Sequence, residues 1–238
     1  MKIQAETLRK FIEKASVGGK IPTMFLDFRS DGVVCNIRSM ENIMITSSIL
    51  KRSNFKDYQE KLQLCIKNSA ELINYLKVLE GEIVIEVIEN NLFITDGNFS
   101  FDIALASKEY IENIISDDDI AKLNTKFTGG FVLNKDVIRR IIKAGSIMKN
   151  DTFEIVIENG IMNVKAFDEK SRDRLTVKNK VDYRDCKAVY NAEYLSNILE
   201  VIENDAEISL MKEDAPILVK ESNDSWIIKL AMAPKILE

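Results

Sequence analysis

Two basic clusters lie 130 positions apart: Arg9, Lys10 and Lys14 in the first, Arg139, Arg140 and Lys143 in the second. Guanidinium and ammonium groups on long side chains attract phosphate oxygens whatever the base sequence, so this pattern suits a polyanion held without readout. Lys77 offers a further cation on a helical stretch between them. Catalytic chemistry is scarce by comparison. There is no histidine, which removes the usual general base, the Ser-His triads and the commonest metal ligand. No Walker A string, G-x-G-x-x-G or H-E-x-x-H occurs. Asp117, Asp118 and Asp119 form a carboxylate run, but adjacent carboxylates point in different directions, and the run reads as a solvated loop. A carboxylate-dependent nuclease is the enzymatic alternative, and no paired motif supports it. Cys35, Cys65 and Cys186 are odd in number and widely separated, which argues against a disulfide framework or a zinc site. The expectation is a non-enzymatic protein with no cofactor and no metal.

Composition sets the frame for placing these residues. The chain has 238 residues, 46% hydrophobic and 30% charged, an ordinary balance for a globular protein. That length fits one large domain or two of about 120 residues. Three prolines and nine glycines leave little room for a long flexible linker. The net charge of −5, from 33 basic and 38 acidic residues, argues mildly against nucleic acid unless the charge is segregated. No run of 18 apolar residues marks a membrane span, and MKIQAETLRKF lacks the apolar stretch of a signal peptide. An intracellular, reducing compartment is expected.

The basic clusters belong to a repeat. In AETLRKFIEKAS, residues Ala5, Leu8, Phe11, Ile12 and Ala15 share one helical face. An offset of 130 takes Leu8 to Ile138, Arg9 to Arg139, Lys10 to Arg140, Phe11 to Ile141, Ile12 to Ile142 and Ser16 to Ser146. A second helical pair follows at an offset of 123, which takes Asn68 to Asn191, Leu72 to Leu195, Leu76 to Leu199 and Leu79 to Ile202. Asn68 and Asn191 are expected to cap their helices. Strand-like runs lie between and after the helices, with Gly32 and Gly160 placed at hairpin turns that need positive φ. Each half thus reads as helix, three strands, strand, helix, three strands. The charged segment 108–124 separates the copies, giving an N-terminal domain over 1–112, a connector over 113–123 and a C-terminal domain over 124–238.

The segment YNAEYLSNILEVIENDAEISLMKEDAPILVKE, the end LAMAPKILE with its Ala233-Pro234-Lys235-Ile236 tail, and GVVCNIRSMENIMI with Ser39-Met40 resemble the proliferating cell nuclear antigen (PCNA) family of DNA sliding clamps. The resemblance implies an α+β fold of two similar clamp domains, each a β-sheet with two helices. It implies assembly into a ring of pseudo-sixfold symmetry, as a homotrimer or a heterotrimer. The helices of such a ring line a hole for double-stranded DNA. Arg9, Lys10, Lys14, Lys77, Arg139, Arg140 and Lys143 are then the DNA-facing residues, pointing away from the subunit joint. The fourth helix departs from this pattern, with Glu193 and Glu200 and no Lys or Arg.

By the same resemblance, Met40, Met44, Ile111, Ile114, Ile115, Ala233, Pro234 and Ile236 form a pocket for partner peptides. The joint between subunits falls on strands over about 99–106 and 172–180. There Phe101 and Leu105 would pack against Leu175 and Val177, and Asp102 would meet Arg172 or Arg174. The implied function is that of a processivity factor, which tethers DNA polymerase, the clamp loader and other replication and repair proteins bearing clamp-binding peptides. A checkpoint or accessory subunit of a heterotrimeric ring is the nearest alternative. The implied location is the cytoplasm or nucleoid in an archaeal host and the nucleus in a eukaryotic one, with no membrane association.

Overall fold

The structure, a computed structural model, describes residues 1–148, 151–167, 174–211 and 216–235. It divides into two compact units, Met1–Ile120 with Ser222–Ile228, and Ala121–Glu221 with the residues from Lys229 on.

The first unit runs β1 (Lys2–Gln4), α1 (Ala5–Ala15), β2 (Met24–Arg29), β3 (Gly32–Arg38), β4 (Met44–Lys51), β5 (Gln63–Ile66), α2 (Ser69–Val78), β6 (Glu82–Ile88), β7 (Asn91–Thr95) and β8 (Ser100–Ala104). Its own strands form two antiparallel groups, ordered β5-β2-β3-β4 and β1-β6-β7-β8. Helix α1 forms because Leu8, Phe11, Ile12 and Ala15 recur on one face, and all four are buried. Burying Leu8, Phe11 or Ile12 is worth about 1.5–3 kcal/mol each. The helix stops where Val17, Gly18 and Gly19 take φ of 53°, 67° and 86°, a left-handed run that cannot continue it. Helix α2 packs beside α1 and starts under Asn68, whose side chain accepts from the Glu71 N–H at 3.1 Å.

After a connecting helix α3 (Asp117–Lys126), the second unit repeats the order. It runs β9 (Phe131–Leu133), α4 (Lys135–Met148), β10 (Thr152–Glu158), β11 (Ile161–Phe167), β12 (Arg174–Lys180), β13 (Cys186–Asn191), α5 (Ala192–Glu200), β14 (Ala206–Leu210), β15 (Ile217–Ser222) and β16 (Trp226–Met232), of which Ser222 and Trp226–Ile228 group with the first unit. The strand orders β13-β10-β11-β12 and β9-β14-β15-β16 match those of the first unit position for position. Thus β12 is the counterpart of β4, and β16 the counterpart of β8. Helices α4 and α5 pack as α1 and α2 do. Asn191 caps α5, accepting from the Glu193 and Tyr194 N–H groups at 3.0 and 3.2 Å. Both expected asparagine caps are present. The β10–β11 hairpin turns through Asn159 and Gly160 at φ 51° and 72°, the pair of left-handed residues that a two-residue turn requires.

Three features depart from the sequence expectation. Each repeat opens with a strand, β1 or β9, only three residues long, too short to show alternation. The strands of each half fall into two sheets. The aspartate run is not a loop: Asp117, Asp118 and Asp119 form the first turn of α3, where carboxylates favour the positive end of the helix dipole. Ser116 Oγ accepts from the Asp119 N–H at 3.2 Å and donates to the Asp119 carboxylate at 2.7 Å.

Candidate functional site

The expected DNA-facing cations are not equivalent. On α1, Arg9 donates to both carboxylate oxygens of Glu13 at 2.8 Å, and Lys10 lies 3.1 Å from Glu6. Each is tied to an acid one turn away. Lys14 is a correction. It is only 2% exposed, with its ammonium 5.5 Å from the centre of the Trp226 ring. Position 14 flanks the apolar stripe of α1, and the indole that covers it comes from a segment more than 200 residues later, which helical spacing does not reveal. Lys77 on α2 is exposed and lies 3.5 Å from Asn74 Oδ1. On α4, Arg139, Arg140 and Lys143 are all exposed, and none makes an ion pair among the described residues. Helix α5 exposes Glu193 and Glu200. Of the helices bearing the expected cations, α4 thus carries three exposed ones without an ion-pair partner among the described residues.

The expected joint strands are both sheet edges. β8 ends its row beside β7, with Phe101 opposite Ile94 and Asp102 opposite Phe93. β12 ends its row beside β11, with Leu175 opposite Ala166 and Val177 opposite Val164. Three of the other outer strands are covered, and among the described residues only the three-residue β9 is not: Lys56 exchanges backbone bonds with Lys2 of β1, Ala106 donates to Cys65 of β5, and Lys235 donates to Val189 of β13. β8 and β12 carry no such cover among the described residues. Asp102 and Arg174 are exposed, Phe101 and Leu175 half-buried, and Val177 buried beneath α4. Leu105 is only 5% exposed, because it lies past the end of β8 and its N–H turns back to the Asn90 carbonyl at 2.9 Å. It serves the unit's interior. Arg172 lies outside the described residues.

A groove runs beside each open edge. One, of about 230 Å³, separates β8 from α2 and is lined by Glu71, Tyr75, Asp102 and Ile103 among others. Tyr75 stacks on Phe101 with ring centroids 4.6 Å apart. The other, of about 310 Å³, separates β12 from α4 and is lined by Arg140, Lys143, Ile147, Leu175 and Lys178 among others. Arg140 and Lys143 therefore do not face away from this edge, contrary to the sequence expectation. The β12 strand passes beneath the same flank of α4 that carries them, a tertiary fact absent from the helix pattern. Sequence reasoning also missed Tyr75, Phe99 and Ile147; the alternation of Phe99, Phe101 and Ile103 was the available signal for the second of these.

The expected peptide-pocket residues divide between the units. In the first, Met40 is 60% exposed in a loop held by Ser39 Oγ, which accepts from the Ile43 and Met44 N–H groups at 3.1 Å. Met44 is only 2% exposed, since it opens β4 with its side chain turned inward. It is core, and so is Ile111 at 5%. Ile114 and Ile115 are half-exposed, and the chain here is bound to β3 by Arg38 N–H to Asn113 O at 2.9 Å and Ile115 N–H to Asn36 O at 3.0 Å. Arg29 donates to Asp117 at 2.9 Å, and Asn36 does so at the same distance, fastening the start of α3. In the second unit, Ala233 and Pro234 are half-exposed, and the Lys235 N–H holds the tail on β13 at 2.8 Å. Ile236 lies outside the described residues.

No group of three or more acids or cysteines could hold a metal among the described residues. The three cysteines are free thiols, and burial pushes Cys35 up to about 12, which leaves it protonated and unreactive at neutral pH.

Three solved structures share this architecture. The chain superposes on PCNA from Entamoeba histolytica with a TM-score of 0.81 at 16% identity, over 99% of this chain and 98% of that one. The fold is that of a PCNA clamp subunit. A PCNA2-PCNA3 complex from Sulfolobus tokodaii matches with a TM-score of 0.80 at 17% identity, over 98% of both chains. A. fulgidus PCNA, solved with the C-terminal region of FEN-1 bound, matches with a TM-score of 0.81 at 13% identity, over 100% of this chain and 98% of that one. No protein-family model and no curated protein matches the sequence. The PCNA fold is thus carried here by a pattern of buried positions and turns, with few identical residues.

Proposed function

We propose that this chain is the subunit of a DNA sliding clamp, a non-enzymatic ring of three copies that encircles duplex DNA and tethers polymerases and other replication or repair proteins. The observation that carries the reading is the pair of open edges. Within the first unit, β4 meets the segment that begins β16: the Lys51 N–H donates to the Ser225 carbonyl at 2.9 Å, and the Lys51 ammonium to the Asn223 carbonyl at 2.6 Å. Their repeat counterparts, β12 and β8, have no neighbouring strand on their outer side among the described residues. A bare edge of seven or five residues invites strand addition. Pairing β8 of one copy with β12 of the next would satisfy both edges, and repeating that step builds a head-to-tail assembly that a ring completes.

The lysines and arginines of α1, α2 and α4 suit a sequence-independent hold on phosphates. Met40, Ile114, Ile115, Ala233 and Pro234 offer apolar contacts for partner peptides, and unbranched methionine adapts to varied ligands. The bound FEN-1 segment and the paired subunits in the similar structures support a role as a platform. Light scattering on the purified chain tests the assembly. The expected mass is close to three times 27.1 kDa; a monomer at every concentration would contradict self-assembly and leave only a ring built with different chains.

A further inference from the structure

We propose that the first unit holds a small-ligand site at a fork between β2 and β3, fitted to a short aliphatic molecule that carries a primary ammonium and a carboxylate. The site lies within residues 25–117 and does not depend on how copies of the chain assemble. β2 and β3 pair only from Asp27 opposite Val34 to Arg29 opposite Gly32. Beyond Val34 the two strands part, and residues 113–115 take the place of β2 beside β3. There the Ile115 N–H donates to the Asn36 carbonyl at 3.0 Å and the Arg38 N–H to the Asn113 carbonyl at 2.9 Å. The buried Asn113 amide locks this wedge, donating to the Thr23 and Arg38 carbonyls at 3.2 and 3.0 Å. A cleft of about 170 Å³ remains between the strands and residues 114–117.

Asn36 points to a ligand. It lines the cleft and is only 7% exposed. Its amide nitrogen donates to Asp117 at 2.9 Å, which fixes the other end of the amide as the oxygen. That oxygen is buried with no hydrogen-bond partner among the described residues, and a buried acceptor left unmade is costly. Two carboxylates share the cleft with it. Arg29 donates to Asp27 at 2.7 Å and to Asp117 at 2.9 Å, one guanidinium against two carboxylates. Asp27 accepts besides only a long bond from Gln63 at 3.3 Å, so both acids keep acceptor positions free among the described residues. Three acceptors and a surplus negative charge suit a primary ammonium, which has three donors and no acceptor. The cleft also offers the opposite charge. Lys108 lines it, 4.7 Å from the centre of the Phe25 ring, and makes no ion pair among the described residues. A ligand carboxylate completes it, whereas a second ammonium meets a like charge. Phe25, Val34, Ile114 and Ile115 supply apolar wall for a short methylene chain. Because Asp117 opens α3, a ligand held by Asn36 and Asp117 fastens this segment to the sheet. It thereby links a small molecule to Ile114 and Ile115, two of the contacts proposed for partner peptides.

The test uses the full-length chain and four probes of equal chain length: δ-aminovalerate, pentylamine, valerate and cadaverine. Ligand-observed NMR and calorimetry at low salt read their binding. δ-Aminovalerate is expected to bind, pentylamine about tenfold more weakly for want of a group on Lys108, and valerate and cadaverine more weakly still. Asn36→Leu should lower δ-aminovalerate affinity by about tenfold or more. Lys108→Met should bring δ-aminovalerate down to the level of pentylamine. Circular dichroism and thermal melts confirm the fold of each variant. Lys108 is exposed, so its variant carries the test even if Asn36→Leu does not fold. Absence of binding by every probe up to about 20 mM would overturn the site. So would δ-aminovalerate affinity unchanged in Lys108→Met or in a folded Asn36→Leu, or cadaverine binding as well as δ-aminovalerate. Light scattering should show the same assembly for both variants as for wild type, which keeps a failure of this site distinct from a failure of the ring reading.

Discussion

Deleting residues 233–238 is expected to weaken binding of clamp-binding peptides by roughly thirtyfold or more, the loss of about 2 kcal/mol that accompanies removal of one anchoring side chain from an apolar pocket. The ring should remain assembled, because the tail carries neither open edge. Calorimetry with a polymerase-type peptide reads the affinity, and light scattering reads the assembly. Two methionines provide an internal control. Met40 is 60% exposed and Met44 only 2%. Met40→Ala should lower peptide affinity and leave the melting temperature within a degree or two. Met44→Ala should destabilise the fold by about 2–5 kcal/mol, the usual result of emptying a buried methionine site. Equal peptide binding by truncated and full-length chains would place the pocket elsewhere.

Neutralising α4 should reduce DNA retention more than neutralising α1. On α1, a phosphate must compete with Glu13 for Arg9 and with Glu6 for Lys10. On α4, Arg139 and its neighbours have no such competitor among the described residues. Every phosphate that a cation ceases to neutralise lowers the slope of log affinity against log salt by about 0.9. Arg139→Ala is therefore expected to remove nearly one full unit per subunit that touches the duplex, and Arg9→Ala with Lys10→Ala clearly less than two. Arg139 is the cleaner probe, since it does not line the groove beside β12. Retention on end-blocked linear DNA across a salt series gives both slopes; a larger drop for the α1 pair would reverse the ranking.

The repeat was legible because helices and capping asparagines leave local signals. Leu8, Phe11 and Ile12 and their counterparts at 138, 141 and 142 mark the same face, and Asn68 and Asn191 begin helices where a side-chain acceptor is needed. The strands β8 and β12 were legible from alternation. What escaped was whatever depends on residues distant in sequence. Lys14 sits on the flank of an amphipathic helix, and only the arrival of Trp226 decides that it is covered. Met44 and Met40 are the same residue type four positions apart, and the inward turn of β4 separates core from surface. Arg140 and Lys143 belong to a basic helical face by spacing, but the path of β12 makes that face the wall of a groove. Asp117 reads as a loop residue until Arg29 and Asn36 fasten it at the start of α3.

The most direct test of the encircling role is topological. The purified chain, at a concentration where it is assembled, is threaded onto linear duplex DNA through its open ends. The ends are then blocked with bulky protein caps, and the DNA is washed at a salt concentration that removes ordinary phosphate binders. A ring should stay on the capped DNA, run off when a restriction enzyme cuts one cap away, and do so whatever the base sequence. Release from capped and uncapped DNA at the same rate would show that the chain binds the outside of the duplex, and would contradict the clamp.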